Sequence, residues 1–236
     1  GKGITVCVFD SGVDYTHPAL GGCFGEGCRV VGGYDSVNKD SDPMDDYGHG
    51  THVSGIIASS DMTYRGIAPK ANLVAVKVGD ALGRVYLRDV AIGIDWCVNH
   101  AQNLDIKIIT MSIGDGRTYN DDNCPQILDS YIQNAINAGL FLDASSGNEG
   151  LMNGVSFPAC APGVTSVGAV YDANVGYGSW SSCADATTEA DKIVCFTNRA
   201  SNLDLLAPGA IIKSTASSVG GSCGAPFGGF RQCSGT

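Results

Sequence analysis

Residues 3–12 read GITVCVFDSG, and this stretch decides the class of fold. Its six residues ITVCVF are apolar at nearly every position instead of alternating, which is typical of a strand covered on both faces in a parallel sheet. An Asp-Ser-Gly turn ends the run. Short runs of the same kind recur along the chain, at residues 73–78, 106–113, 139–145, 163–170 and 202–208.

Between these runs lie segments with helical patterns. Residues 50–60 are small and apolar, residues 84–103 place Val85, Val90, Ile94 and Cys97 near one face, and residues 124–139 begin close to a proline. Strands and helices therefore alternate, which predicts an α/β fold, a three-layer sandwich with a mostly parallel central sheet. We find no internal repeat, linker or break in composition, so we expect one domain over residues 1–236.

The charge of the chain excludes several kinds of partner. The formal net charge of -10 argues against nucleic acid and against an anionic membrane surface. No run of 18 apolar residues is present, so we expect no membrane span. The acidic residues concentrate at 38–46 and 119–123, where a solvated surface is the favoured interpretation and bound calcium the alternative.

Ten cysteines suggest an oxidising compartment. No paired C-x-x-C or zinc-finger spacing is present, so a structural metal site is not expected. Three local pairs bracket polar loops and suit disulfides: Cys23/Cys28, Cys183/Cys195 and Cys223/Cys233. Cys7, Cys97, Cys124 and Cys160 cannot be paired from sequence, and Cys7, inside an apolar strand, is compatible with a buried thiol. We expect a secreted protein.

The first residues have neither an initiator Met nor signal-peptide features, and we interpret them as a processed or excised start.

Three polar residues stand where parallel strands or the turns after them end. Asp10 follows the first strand, His49 lies between two glycines at the start of a helix, and Asn148 follows a strand in a small polar run. Asp10 and Asn148 each have an ordinary explanation, since Asp and Asn are common in turns. A zinc site of His49 and His52 lacks a third ligand and the i, i+4 spacing. Together, however, a carboxylate, an imidazole and an amide donor are three parts of the machinery for serine acyl transfer.

Successive blocks of the chain resemble the signature blocks of the subtilisin-like serine proteases, the subtilases, in the same order. They are VFDSGVDYTHPAL, GHGTHVSGIIA, GIAPKANLVAVKV, MSIG, SSGNEG, APG and the terminal SGT. The resemblance implies a subtilisin-like fold and a serine endopeptidase, closest in look to secreted fungal or bacterial members. It implies that Asp10 is the triad aspartate, His49 the general base and Asn148 the oxyanion-hole amide. The nucleophile block of the family continues Gly-Thr with Ser, so the catalytic serine is expected directly after Thr236, and we expect residues 1–236 to be incomplete at both ends.

The resemblance also implies how substrate binds. One segment should pair with an extended peptide: Ser112, Ile113 and Gly114. A second should line one wall of the primary specificity pocket: Ser145, Ser146 and Gly147. Gly83 matches a stretch that flanks the other side of the substrate. Small residues in the wall suggest a roomy, uncharged pocket with some apolar preference.

The expected partners are polypeptide substrates, a propeptide or protein inhibitor, and the remaining C-terminal part of the same protein; the enzyme would be made as a zymogen. No cofactor is expected. A structural calcium ion is left open, because the segment between residues 60 and 66 is shorter than in family members that fold a calcium loop there.

Two other functions fit parts of the sequence. A catalytically inert binding module with the subtilase fold stays open, although Asp10, His49 and Asn148 together argue for catalysis. A Rossmann-type dinucleotide site is disfavoured, because the glycines of GKG precede the first strand, whereas phosphate binding needs them between a strand and a helix.

Overall fold

A computed structural model describes residues 1–218 and 229–236. The chain divides into two compact units. The first contains Gly1–Met111, Tyr131–Phe141 and Lys213–Gln232, and the second contains Ser112–Ser130, Leu142–Ile212 and Cys233–Thr236.

The first unit holds four parallel strands: β1 (Thr5–Asp10), β2 (Val30–Asp35), β3 (Asn72–Lys77) and β4 (Ile106–Met111). They lie in the order β2-β3-β1-β4. In the register of the central strand, Cys7 stands opposite Val74 of β3 and Ile109 of β4. The carboxyl ends of these strands therefore share one edge, where Asp10 ends β1.

Three α-helices accompany the strands. They are α1 (His49–Ala58), α2 (Leu87–His100) and α3 (Asp129–Asn137), and a 3₁₀ turn covers Pro18–Leu20. The first unit contains α1, α2 and most of α3.

Helices on both faces of β1 explain its continuous apolar run. Val6 and Val8 pack on one face in a buried cluster that includes Ala58 of α1. On the opposite face, a Cβ added at Gly93 of α2 would lie 2.8 Å from the Phe9 ring, so the helix backbone approaches the sheet very closely. Every residue of β1 is buried as a result.

The second unit holds three parallel strands in the order β5-β6-β9. These are β5 (Phe141–Ser145, all but its first residue), β6 (Val164–Val170) and β9 (Leu205–Pro208). A short antiparallel pair, β7 (Gly178–Ser179) and β8 (Ala184–Asp185), lies between β6 and β9 in sequence. Tyr171, Val194 and Phe196 are central to the core of this region. Most residues of β10 (Ile212–Thr215) and β11 (Phe230–Cys233) belong to the first unit, where the two strands pair.

Four disulfides are present among the described residues. The predicted pairs Cys23–Cys28 and Cys183–Cys195 are formed. The pairs that sequence left unassigned are Cys7–Cys97, which joins β1 to α2, and Cys124–Cys160. Cys7 is therefore a disulfide partner and not a free buried thiol. The predicted pair Cys223/Cys233 includes a residue outside the described ones.

The α/β class with mostly parallel strands is confirmed, with local differences. β2 was not predicted, because its sequence VVGGYD contains two glycines and lacks an apolar run. Val85 was expected on the face of the second helix, but that helix begins at Leu87, and Val85 forms an isolated bridge with Gly79. The third helix begins at Asp129, after the predicted proline start. None of the helices described is both long and apolar enough to cross a membrane.

Candidate active site

Asp10 occupies the carboxyl end of the central strand of the first unit. It is the last residue of β1, and its side chain is buried. The backbone N–H of Ser11 donates a hydrogen bond to its Oδ1 at 2.7 Å. The first turn after the strand thus fixes the orientation of the carboxylate.

His49 faces this carboxylate from the first residue of α1. Its Nδ1 lies 2.8 Å from both Oδ1 and Oδ2 of Asp10. The imidazole is 34% exposed whereas the Asp10 side chain is 4% exposed, so one edge of the ring is accessible while its acidic partner is shielded from water. A buried carboxylate paired with a partly exposed imidazole is the arrangement of an oriented general base.

The glycines beside His49 make this approach sterically possible. Gly48, the residue before α1, has φ of 100°, a left-handed conformation that glycine adopts without strain. A Cβ at Gly50 would lie 2.1 Å from the carbonyl oxygen of Gly12 and 2.9 Å from Cβ of Asp10. Glycine at position 50 therefore lets the helix start pack directly against the end of β1.

The charge of Asp10 raises the pKa of His49 above its ordinary value. Burial opposes this effect, and the hydrogen bond to Asp10 and the negative charge of Asp45 add to it. The surroundings therefore stabilise an imidazolium, which is the species that a histidine acting as a base would form.

Asn148 lies in the second unit, three residues after β5 ends, and is exposed. The backbone N–H of Thr236 donates to its Oδ1 at 2.9 Å. The Thr236 hydroxyl lies 3.2 Å from the same oxygen and accepts from the backbone N–H of Gly147 at 3.1 Å. Because the Thr236 N–H must meet the oxygen, the amide orientation is assigned and Nδ2 is its donor end.

The residues expected to bind substrate cluster within the second unit. The Ser145 hydroxyl donates to the carbonyl of Ile113 at 2.9 Å, which links the end of β5 to the segment 112–114. The backbone N–H of Ser146 donates to the carbonyl of Val167 on β6. Ser112 and Ile113 are half-buried, whereas Gly114 is exposed. A Cβ at Gly114 would contact Cβ of Ser156 at 3.3 Å.

Glu149 adds an acidic group that the sequence pattern did not indicate. Its carboxylate accepts a hydrogen bond from Asn198 Nδ2 at 2.6 Å. A Cβ at Gly147 would lie 2.7 Å from Oε2 of Glu149, so the carboxylate borders the glycine backbone. The wall that was expected to be uncharged therefore has an acidic group beside it. Only its position next to Asn148 could have drawn attention to it.

Asp45 is the other residue that sequence reasoning missed. It was treated as one of several acidic residues of a surface loop, yet it is buried. Its position four residues before His49 is the one available signal. Within residues 1–218 and 229–236, no group of three or more His, Cys, Asp or Glu side chains is arranged to hold a metal ion.

Comparison with known proteins places these features in a family context. Residues 1–236 match the model of the subtilase family. Serine protease AprX of Bacillus subtilis strain 168 is 35% identical over 231 residues, which cover 92% of this chain and 48% of that protein. Subtilisin E of the same organism is 33% identical over 231 residues, which cover 95% of this chain and 51% of that protein.

A fungal protein and a solved structure are similar to this chain at nearly the same sequence identity. Subtilisin-like protease 1 of Arthroderma gypseum is 34% identical over 239 residues, covering 100% of this chain and 41% of that protein. A crystal structure of a cold adapted subtilisin-like serine proteinase superposes with a TM-score of 0.74 at 32% identity, covering 99% of this chain and 70% of that one. The chain spans about half the length of the three proteins compared by sequence.

Proposed function

This chain belongs to the subtilase family, and from that membership we propose that the protein is a serine endopeptidase acting on polypeptides. The observation that carries the proposal is the pairing of His49 with the buried carboxylate of Asp10 at 2.8 Å. A structural histidine would not need a shielded acidic partner together with an accessible ring edge. The fold alone would not distinguish an enzyme from an inert relative.

The orientation of the pair supports a separate role for each ring nitrogen of His49. With Nδ1–H donating to Asp10, Nε2 carries the lone pair and acts as the base. Nε2 takes the proton of the serine hydroxyl while the oxygen attacks the peptide carbonyl carbon. The same proton is then given to the leaving amine as the C–N bond breaks, and water hydrolyses the resulting acyl-enzyme. Asp10 keeps the ring in the required tautomer and stabilises its cation.

We place the nucleophilic serine directly after Thr236, because Gly235 and Thr236 match the two residues that precede the serine of the family. In this scheme, Nδ2 of Asn148 donates to the oxyanion that develops on the substrate carbonyl. The bond from Thr236 to Oδ1 supports this role, since it presents the donor end of the amide. Segment 112–114 pairs with the substrate, and residues 145–147 form a wall of the specificity pocket.

A secreted location is the second part of the proposal. The four disulfides formed among the described residues, including two between residues distant in sequence, are typical of an oxidising environment. A propeptide that keeps the enzyme inactive until secretion, as a zymogen, is consistent with such a location.

The test uses a sulfonyl fluoride or phosphonate probe on the full-length protein. We expect covalent labelling and peptide hydrolysis in the wild type, and loss of both in His49→Ala, because the serine then lacks its base. His100→Ala is a matched control, since the described contacts of the His100 ring are a hydrogen bond with the Trp96 carbonyl and stacking on the Trp96 ring, both within α2. Absence of labelling in the folded wild type would favour the inert binding module instead.

A further inference from the structure

Asp45 is a fully buried carboxylate, 1% exposed, that accepts five hydrogen bonds. Its Oδ1 accepts from the Ser11 hydroxyl at 2.9 Å and from the backbone N–H groups of Tyr47 and Gly48 at 3.0 and 2.7 Å. Its Oδ2 accepts from the backbone N–H and the hydroxyl of Thr51 at 2.9 and 2.5 Å. Such a set of donors immobilises the carboxylate and compensates for its burial.

These contacts fix the beginning of α1. The residue before the helix, Gly48, has no side chain to cap it, and the first turn contains no acidic residue. Asp45 takes over that function from outside the helix, because it accepts the N–H groups of Gly48 and Thr51. A carboxylate at this position also interacts favourably with the positive end of the helix dipole. His49, the first helical residue, thus lies between Gly48 and Thr51, whose N–H groups both donate to Asp45.

Ser11 connects the same carboxylate to the end of β1. The Ser11 hydroxyl donates to Asp45 and accepts from the backbone N–H of Gly50 at 3.0 Å. The Ser11 backbone N–H donates to Oδ1 of Asp10. The Asp45 carboxylate therefore links Ser11, whose N–H orients Asp10, to the first turn of α1, which contains His49.

A buried lysine holds Ser11 from the other side. Nζ of Lys77, at the end of β3, donates to the carbonyl oxygens of Ser11 and Gly79, each at 3.0 Å, and forms an ion pair with Asp46. Ser11 is thus bound through its hydroxyl, its N–H and its carbonyl. Of the two adjacent acidic residues, Asp45 accepts from the Ser11 hydroxyl, and Asp46 pairs with the lysine that binds the Ser11 carbonyl.

We propose that Asp45 is a positioning residue that sets the distance and orientation between Asp10 and His49 by tying the end of β1 to the start of α1. The inference rests on the proposed function and adds a residue that does not touch the reacting atoms. The charged groups near the pair are Asp10 of β1, Asp14 of the segment after it, whose N–H donates to the Thr51 hydroxyl, Asp45 and Asp46 of the loop before α1, and Lys77 of β3. Among them, Asp45 adds to the rise in the pKa of His49.

The test compares Asp45→Asn with Asp35→Asn in the full-length protein. Asp35 is an equally buried carboxylate, 1% exposed, that accepts N–H groups of its own loop from Val37 and Asn38. It makes none of the described contacts to Ser11 or α1. Both substitutions place an amide where a carboxylate accepts N–H donors, so both are expected to lower stability.

Only Asp45→Asn is expected to change the active site. We expect kcat to fall about 10- to 100-fold with KM little changed, because a small displacement of a catalytic group is sufficient for such a loss. We also expect the pKa of His49 to fall, which NMR titration can follow once its signals are assigned with His49→Gln. The acid limb of the kcat/KM profile should move to lower pH in parallel. Asp35→Asn should change neither kcat nor the titration of His49.

The outcomes separate the inference from the proposed function. If the wild type is active and Asp45→Asn leaves kcat and the pKa of His49 unchanged, or if Asp35→Asn changes them equally, Asp45 has only a structural role. If the wild type is inactive but Asp45→Asn also weakens the low-field proton resonance of the Nδ1–H that His49 directs at Asp10, the positioning of the pair stands and the enzymatic function fails. Loss of the Asp45 charge alone lowers the pKa of His49 without disturbing that hydrogen bond. Neither NMR measurement requires activity, so both remain informative in either case.

Discussion

The Asp10 carboxylate makes the unfolding free energy of the protein depend on the protonation state of His49. Because the pair raises the pKa of His49 in the folded state, protonated His49 is bound more favourably there than in the unfolded chain. The resulting stabilisation is fully present below the pKa of an unfolded histidine, about 6.5, and is lost as pH rises through the folded-state pKa.

Asp10→Asn should remove this dependence on pH. An amide at position 10 cannot stabilise the imidazolium, so we expect the loss of unfolding free energy relative to wild type to be larger at about pH 6 than at about pH 9. Urea unfolding at the two pH values measures the difference. Asp95→Asn, on the exposed face of α2, is the control and should show no such trend. A loss of equal size at both pH values would mean that Asp10 does not interact with the charged form of His49. In the active protein the same variant should lose roughly 10⁴-fold in kcat.

The residues of the candidate site differ in how visible they are from sequence. Asp10 and His49 stand next to glycines at the ends of predictable elements, and the structure brings their side chains together. Asp45 and Glu149 could not be identified in this way, because their roles depend on burial and on contacts with residues far along the chain, such as Ser11 and Asn198. In the sequence, a buried acidic residue in a loop looks the same as a solvated one, so burial cannot be predicted from its charge and position.

Helix α2 packs on the sheet through a residue without a side chain. A Cβ at Gly93 would lie 2.7 Å from Cγ1 of Val76 and 2.8 Å from the ring of Phe9, the residue that precedes Asp10. Neither neighbour can move far, since both are fully buried. The distance between this helix and strands β1 and β3 therefore depends on glycine.

Gly93→Ala should accordingly destabilise the protein even though alanine favours helices. We expect a loss of about 1 to 3 kcal/mol in unfolding free energy from overpacking. Asp95→Ala, two residues along on the exposed face of α2, should change stability by less than about 0.5 kcal/mol. Urea denaturation of the two variants provides the comparison. An equal or smaller effect of Gly93→Ala would show that the helix can shift without cost.

The elements that sequence predicted well are those with both faces buried. In β1 and β3 the apolar residues continue through the strand because both faces of the strand are buried. In β2 the two glycines hide the pattern, although Gly33 is required there: a Cβ would lie 2.3 Å from the carbonyl oxygen of Ala75. The start of α2 was misplaced because Val85 continues the apolar spacing of the helix but bridges to Gly79 instead.

The overall fold follows the resemblance that the sequence blocks indicated. The subtilisin-like α/β class is confirmed by the structural similarity at a TM-score of 0.74. Of the four disulfides described, sequence predicted the two that close short loops, Cys23–Cys28 and Cys183–Cys195. It could not predict the two between distant cysteines, because such cysteines can pair in several ways. Cys7 and Cys97 meet only because α2 covers the face of β1 on which Cys7 lies.

The Cys7–Cys97 disulfide should contribute more to global stability than Cys23–Cys28. It closes a loop with a sequence separation of 90, compared with 5 for the other bond. The chain-entropy model then predicts about 4 to 5 kcal/mol for the first bond and about 2 kcal/mol for the second. Both sulfur atoms of the first bond are also buried, so removing them leaves a cavity.

Two double variants measure this difference by urea unfolding: Cys7→Val with Cys97→Ala, and Cys23→Ala with Cys28→Ala. Valine at position 7 replaces part of the lost volume, so that most of the remaining effect comes from the cross-link. We expect the first variant to lose at least twice as much unfolding free energy as the second. Equal losses would indicate that the 90-residue cross-link restricts the unfolded chain no more than the short one does, contrary to the chain-entropy model. In that case the contacts of Gly93, and not the disulfide, would be the main constraint that holds the helix behind the strand that carries Asp10.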